Sequence, residues 1–221
     1  MPPEPLTRER IVAAAVAMAD ADGLDAITMR GLGAALDREA MSLYHHIPSK
    51  EALLAALVDS LLGEVDRESA TIEHADWRVT VRERCLAARE VMLRHPWGPS
   101  LLVAQNDALP SALPSYELLV DTLTSAGFDD GLCHRAIHAL GSMPFGFTSQ
   151  LFEPAQPDDP DVAIAGPAAG QMPNLSRMAA SVVHEAEGSL SVCDTQAEFE
   201  FTLGLLLDGL ESARVRQEAS V

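Results

Sequence analysis

Thr28-Met-Arg-Gly-Leu-Gly-Ala-Ala-Leu36 and, after Asp37, Leu43-Tyr-His-His-Ile-Pro-Ser-Lys-Glu-Ala-Leu-Leu54 are the two stretches that decide the fold. Thr28 is a good helix N-cap, Leu32 and Leu36 recur at helical spacing, and Asp37 interrupts them. A short third helix is expected from about Glu39 to His45. Pro48-Ser49 opens a fourth, in which Leu53, Leu54, Leu57, Leu61 and Leu62 form a stripe and Glu51 suits the positive end of the helix dipole. Upstream, Thr7 caps a helix with Ile11, Ala14, Ala15 and Met18 on one face, and Gly23 stops it after Asp22. Short helices with a tight break between the second and third form a helix-turn-helix pattern.

The rest of the chain continues helix after helix. After Asp76-Trp77 an amphipathic helix carries Val81, Cys85, Ala88 and Met92, and His95-Pro96 ends it. Leu101 to Val103 is a short apolar piece, and Pro114 to Ala126 is helical. Asp129 to about Phe152 is expected to be helical and apolar on most sides, which requires cover on several faces. Glu153 to Asn174 holds five prolines and is expected to be a long loop. Two last helices are expected, Ser176 to Ala186 and Thr195 to Arg214, the second too apolar for a surface helix.

The chain has 221 residues, 48% of them hydrophobic, which is enough for one or two packed domains and excludes a disordered tail or a disulfide-stapled miniprotein. Cys85, Cys133 and Cys193 lie far apart, without a CxxC spacing, and read as free thiols in a reducing compartment. Neither a signal peptide nor an apolar run of spanning length is visible, so a cytoplasmic protein without membrane contact is expected. Fifteen Lys and Arg against thirty-three Asp and Glu give −18, which argues against non-specific polyanion binding. The acidity is uneven. Residues 1–57 hold five cations and eight anions, −3, while the remainder carries −15.

The aromatic and basic cluster fits a DNA-reading surface. Thr28 and Ser49 place hydroxyls and free backbone N–H groups at helix N-termini, where phosphate binds, and Lys50 adds a full charge. Tyr44 and His46 offer neutral donors to the DNA backbone. The reading helix itself, Glu39-Ala-Met-Ser-Leu-Tyr-His-His46, has no Arg, Lys, Asn or Gln. Bidentate base contacts then fall to the flanking Arg30 or Arg38, while Glu39 can accept from a cytosine amino group.

These two stretches together resemble the tetracycline-repressor (TetR) family of bacterial transcription regulators, over roughly residues 7 to 58. The resemblance implies an all-α fold: an N-terminal helix-turn-helix domain at 5–66 and a larger helical effector-binding and dimerisation domain at 70–217. It implies that Arg30, Ser42, Tyr44, His45 and Lys50 touch DNA. Many relatives have glycine in the turn where this chain has Asp37. The expected partners are double-stranded operator DNA, a small-molecule effector and a second copy of the chain, through the 129–152 and 195–214 helices.

Trp77-Arg-Val, His95-Pro-Trp97 and the proline-rich segment resemble the C-terminal domain of the tetracycline repressor itself. In that template a histidine coordinates a metal that holds the drug; a colinear match puts it at Leu102, and an acidic companion at Gln150. Other drug-contacting polar positions fall at Asp66, Arg84 and Gln105. Leu102 cannot ligate a metal, so the expected effector is a mostly apolar organic molecule with no metal cofactor. Leu102, Gln105, Met143, Phe147 and Gln150 would line its site, with Arg84 facing an anionic or carbonyl group. The alternative effector is a metal ion at Cys133, His134 and His138, where the histidines have i, i+4 spacing. HExxH, GxSxG, P-loop and dinucleotide motifs are absent, so no catalytic residues are expected.

Overall fold

Local capping signals set the first helices. In the computed structural model, which describes residues 5–69, 76–104, 112–146, 171–181 and 195–219, the Arg10 N–H donates to Thr7 Oγ1 at the start of α1 (Arg8–Asp22). Gly23 ends α1 with φ +80, a conformation that costs glycine little. A 3-10 turn, Leu24–Ala26, leads to α2 (Met29–Ala35), where the Gly31 N–H donates to Thr28 Oγ1 at 3.0 Å. The turn residue Asp37 adopts φ +53, the left-handed region that Asp and Asn tolerate best after glycine.

Helix α3 (Ala40–Leu43) is shorter than the sequence suggests. Glu39 is its N-cap but makes no side-chain cap bond, and residues 44–46 continue as turn. Helix α4 (Lys50–Ser69) starts as expected, with the Ala52 N–H donating to Ser49 Oγ. Helix α5 (Trp77–Arg94) is capped by Asp76, whose Oδ1 accepts from the Arg78 N–H at 2.8 Å.

Where the sequence offers only an apolar fragment, the chain forms a further helix, α6 (Gly98–Ala104). Gly98 and Pro99 look like breakers, yet proline suits a first helical turn. A Cβ on Gly98 would lie 3.1 Å from Leu61 and 3.2 Å from the Met92 sulfur, so glycine is what lets α6 settle on α4. Helices α7 (Leu113–Ser125) and α8 (Asp130–Gly146) follow, separated by Gly127 at φ +90. Helix α9 (Pro173–Ser181) starts earlier than expected, so Pro173 and Asn174 belong to it rather than to a loop. Helix α10 (Thr195–Glu218) runs past Arg214. All regular structure among the described residues is helical, and no helix there is long and apolar enough to cross a membrane.

Two compact units are present, Met1–Phe145 and Gly146–Val221. In the first, one apolar core joins α1 (Ile11, Ala15), α2 (Leu32), α3 (Leu43), α4 (Leu53, Leu57, Leu61), α5 (Val91, Met92) and α6 (Leu101). Helix α8 buries only one face, through Cys133, Ala136, Leu140 and Met143. Its other face, with His134, Arg135, His138, Gly141 and Ser142, is exposed. The all-round apolar reading counted small residues that cover little area. In the second unit α10 buries Phe199, Leu203, Leu207 and Leu210 and exposes Phe201 and Leu205.

Gly33 tests the packing of the helix-turn-helix. A Cβ there would lie 2.7 Å from the Arg38 carbonyl oxygen, a backbone atom that cannot turn away. Gly33→Ala is expected to cost about 1–3 kcal/mol in urea unfolding. Gly63→Ala in α4, where the new methyl meets nothing within 4 Å, is expected to be neutral or to stabilise by up to about 1 kcal/mol. Equal losses would contradict this packing.

Candidate nucleic-acid interface and effector-binding residues

Leu43 and Ile47, both buried, anchor α3 and the following turn to the core and leave the intervening residues outside. Tyr44, His45 and His46 are all exposed, as are Thr28, Arg30, Glu39 and Lys50. Ser42 is half-buried and its hydroxyl donates to the Glu39 carbonyl, so an incoming phosphate meets it as an acceptor unless that bond is exchanged. Arg38 donates to the carbonyl of Asp37 at 2.8 Å, which folds its guanidinium back over the turn. Glu51 is held below the usual carboxylate range by its backbone hydrogen bond, the Ser49 hydroxyl and Lys50, consistent with a carboxylate at a helix N-terminus. The ten residues expected to meet DNA thus share the helix-turn-helix and the start of α4. Its outer surface carries Arg30 and Lys50 as exposed cations.

The expected effector residues are spread over three helices. Arg84, on α5, is tied inward: it donates to Asp66 Oδ1 at 2.6 Å and to Ser69 Oγ at 3.2 Å. The Ser115 hydroxyl of α7 donates to the same Asp66 carboxylate at 2.8 Å. An anionic ligand group would have to displace Asp66 to reach Arg84. Leu102, on α6, is half-buried and packs on the main core, and Met143, on α8, is buried. Gln105, Phe147 and Gln150, together with most of the Glu153–Asn174 stretch, lie outside the described residues.

The metal alternative does not assemble. The His134 and His138 rings do meet edge to face, centroids 4.6 Å apart. Cys133, adjacent in sequence to His134, points about 100° away around the helix and is buried while both histidines are exposed. Burial pushes its thiol up, with Asp130 and Asp129 adding to the shift, whereas a metal ligand must be a thiolate. Among the described residues no three His, Cys, Asp or Glu side chains are grouped as a metal site requires. Cys85 is likewise a buried structural thiol, pushed by burial up to about 12.

Sequence periodicity missed a polar cluster at the junction of α5 and α6. His95 and Trp97 are buried, and both reach Asp20 of α1. The only local signal was Asp20 itself, an anion in the last turn of a helix that has no basic residue there. Arg89 on α5 is the other buried charged or polar side chain among the described residues.

With this geometry, comparisons with known proteins converge. Residues 11–57 match the sequence family described as "Bacterial regulatory proteins, tetR family", and residues 71–214 match "Tetracyclin repressor-like, C-terminal domain". The HTH-type transcriptional repressor DrrR1 of Streptomyces coeruleorubidus is 32% identical over 217 residues, covering 95% of this chain and 79% of that one. Apo ActR from Streptomyces coelicolor superposes with a TM-score of 0.77 at 26% identity, covering 97% of this chain and 99% of that chain. ActR in complex with actinorhodin gives a TM-score of 0.68 at 25% identity, covering 96% and 99%.

Proposed function

The chain belongs to the tetR family of bacterial regulatory proteins, and on that premise we propose how it works. It is a ligand-responsive DNA-binding transcriptional repressor. The observation that carries this is the exposure of Thr28, Arg30, Tyr44, His45 and Lys50, with half-buried Ser49, on the helix-turn-helix and the start of α4. These residues belong to a part of an acidic chain, residues 1–57, that carries only −3 of the −18.

The DNA-binding domain takes residues 5–66 and the effector domain 70–217. Phosphate contacts from Lys50, Tyr44, His46, Thr28 and Ser49 set position and most of the affinity. Base discrimination comes from Arg30, Arg38 and Glu39, with Ser42 and His45 at the groove edge. Two copies act together. The exposed Phe201 and Leu205 of α10 are apolar surface that a second copy would cover. Open space above Gly204 of α10 supports close helix approach at such an interface. Effector binding shifts the population toward a head spacing that misses successive major grooves, about 34–36 Å apart.

The effector is a mostly apolar organic molecule that needs no divalent ion. Leu102 supports this, because it offers no donor at the position where the tetracycline template carries its metal-binding histidine. ActR, with its bound actinorhodin, is a relative of this fold that holds an organic molecule. The family is one of transcriptional regulators rather than enzymes, and action on genomic DNA places the protein in the cytoplasm.

Lys50→Ala is expected to weaken binding to all duplexes about equally and to reduce the slope of log K against log salt by about one unit. A changed base preference with an unaltered slope would contradict its positioning role. Leu205→Glu adds a charge at an already exposed site, so it should leave the helical circular dichroism intact and yield monomers in light scattering. A persistent dimer would exclude the α10 surface. Release from operator DNA, screened with polycyclic aromatic compounds, is expected to be the same with and without a chelator; release abolished by chelation would overturn the metal-free effector.

A further inference from the structure

A part-buried polar joint links the reading head to α5 and α6, and nothing in the phosphate or base contacts requires it. Asp20 lies in the last turn of α1, where the helix dipole disfavours an anion. Its Oδ1 accepts from the Trp97 indole at 2.6 Å and lies 2.7 Å from Nδ1 of His95. The other ring nitrogen of His95 lies 3.2 Å from Glu64 Oε2 on α4. Glu64 is fixed in turn by Arg94, whose guanidinium is 2.7 Å from Oε1. Arg94, His95 and Trp97 therefore hold α1 and α4 at once, at the point where α5 ends and α6 begins.

Three features make this a joint rather than simple packing. Hydrogen bonds to carboxylates are directional and shorter than neutral ones, so they fix an angle that apolar contacts would let slide. His95 is 8% exposed and Trp97 6%, so their donors are shielded even though the Asp20 carboxylate that receives them is 34% exposed. Gly98, next in sequence, is buried, and a Cβ there would stand 3.1 Å from Leu61 and 3.2 Å from the Met92 sulfur, so the start of α6 lies close against α4 and α5. A displacement of the start of α6 breaks both bonds to Asp20 together.

We propose that His95 is a positioning residue for the reading head. With Trp97 it locks the end of α1 and the middle of α4 to the start of α6, and so sets the spacing at which two heads meet DNA. This rests on the reading above of a dimeric operator-binding protein. His95 itself touches none of the residues assigned to DNA.

The test is selection from a pool of duplexes with random half-sites joined by spacers of varied length, using full-length wild type, His95→Ala, His95→Gln and Trp97→Phe. Wild type is expected to enrich paired half-sites at one spacing. His95→Ala should enrich the same half-site sequence but lose about tenfold of its preference for that spacing over its neighbours. His95→Gln, which keeps one donor, should fall between them. Trp97→Phe removes only the indole donor and should broaden the spacing as well. It carries the test if His95→Ala fails to fold. Undiminished spacing preference in the folded variants would overturn the role of His95 while leaving DNA binding intact. Failure of wild type to enrich any paired half-site would overturn the reading on which the joint depends.

Discussion

The apolar stripe of α4 is used twice, and the rest of the first unit depends on that double use. Leu53, Leu57 and Val58 close the core beneath α1, α2 and α3, while Leu61 and Val65 continue the same stripe toward α5 and α6. Interiors packed at crystal-like density transmit displacement rather than absorb it. A helix that forms a wall of both halves cannot tilt in one without disturbing the other. Lys50 and Ser49 stand at its N-terminal end, Asp66 and Ser69 at its C-terminal end. The residues proposed to meet DNA and Asp66, a drug-contacting position of the tetracycline template, thus lie toward opposite ends of one helix.

Features fixed within a few residues were legible from the sequence. Thr7, Thr28 and Ser49 each cap the helix expected of them, because a cap bond spans three residues. The helix-turn-helix was legible for the same reason, including Asp37 in a left-handed turn. Helix α6 was not, because its driving force is the fit of Gly98 against Leu61 and Met92, a tertiary contact no local pattern encodes. Arg84 illustrates the same limit. It was expected to face an anionic or carbonyl group of the effector, but its partner in the fold, Asp66, lies 18 residues away on another helix. The Asp20–His95 contact spans 75 residues. The Cys133, His134 and His138 set failed for a simpler reason: spacing in residues is also spacing in angle, and Cys133 faces inward.

An acidic chain that binds DNA must separate its charges. Here −15 of the −18 lies beyond residue 57. Some of its carboxylates are paired within the fold, as where Glu64 and Glu68 hold Arg94 or Glu211 and Glu218 hold Arg214. Surface pairs of this kind add little stability, but they spread the negative field over elements other than the reading surface. With few phosphate-binding cations, the proposed mode of binding draws its affinity from geometry: helix N-termini, neutral hydroxyl donors and two heads engaged together. Such a protein is sensitive to head placement, which makes control by a distant organic ligand effective.

Hydroxyl-radical footprinting of the full-length protein on the DNA upstream of its own coding sequence tests the central claim most directly. The account predicts two protected patches related by a dyad, with centres one helical turn of about 34–36 Å apart or a multiple of it. Uniform protection along the duplex, or none at moderate salt, would contradict it.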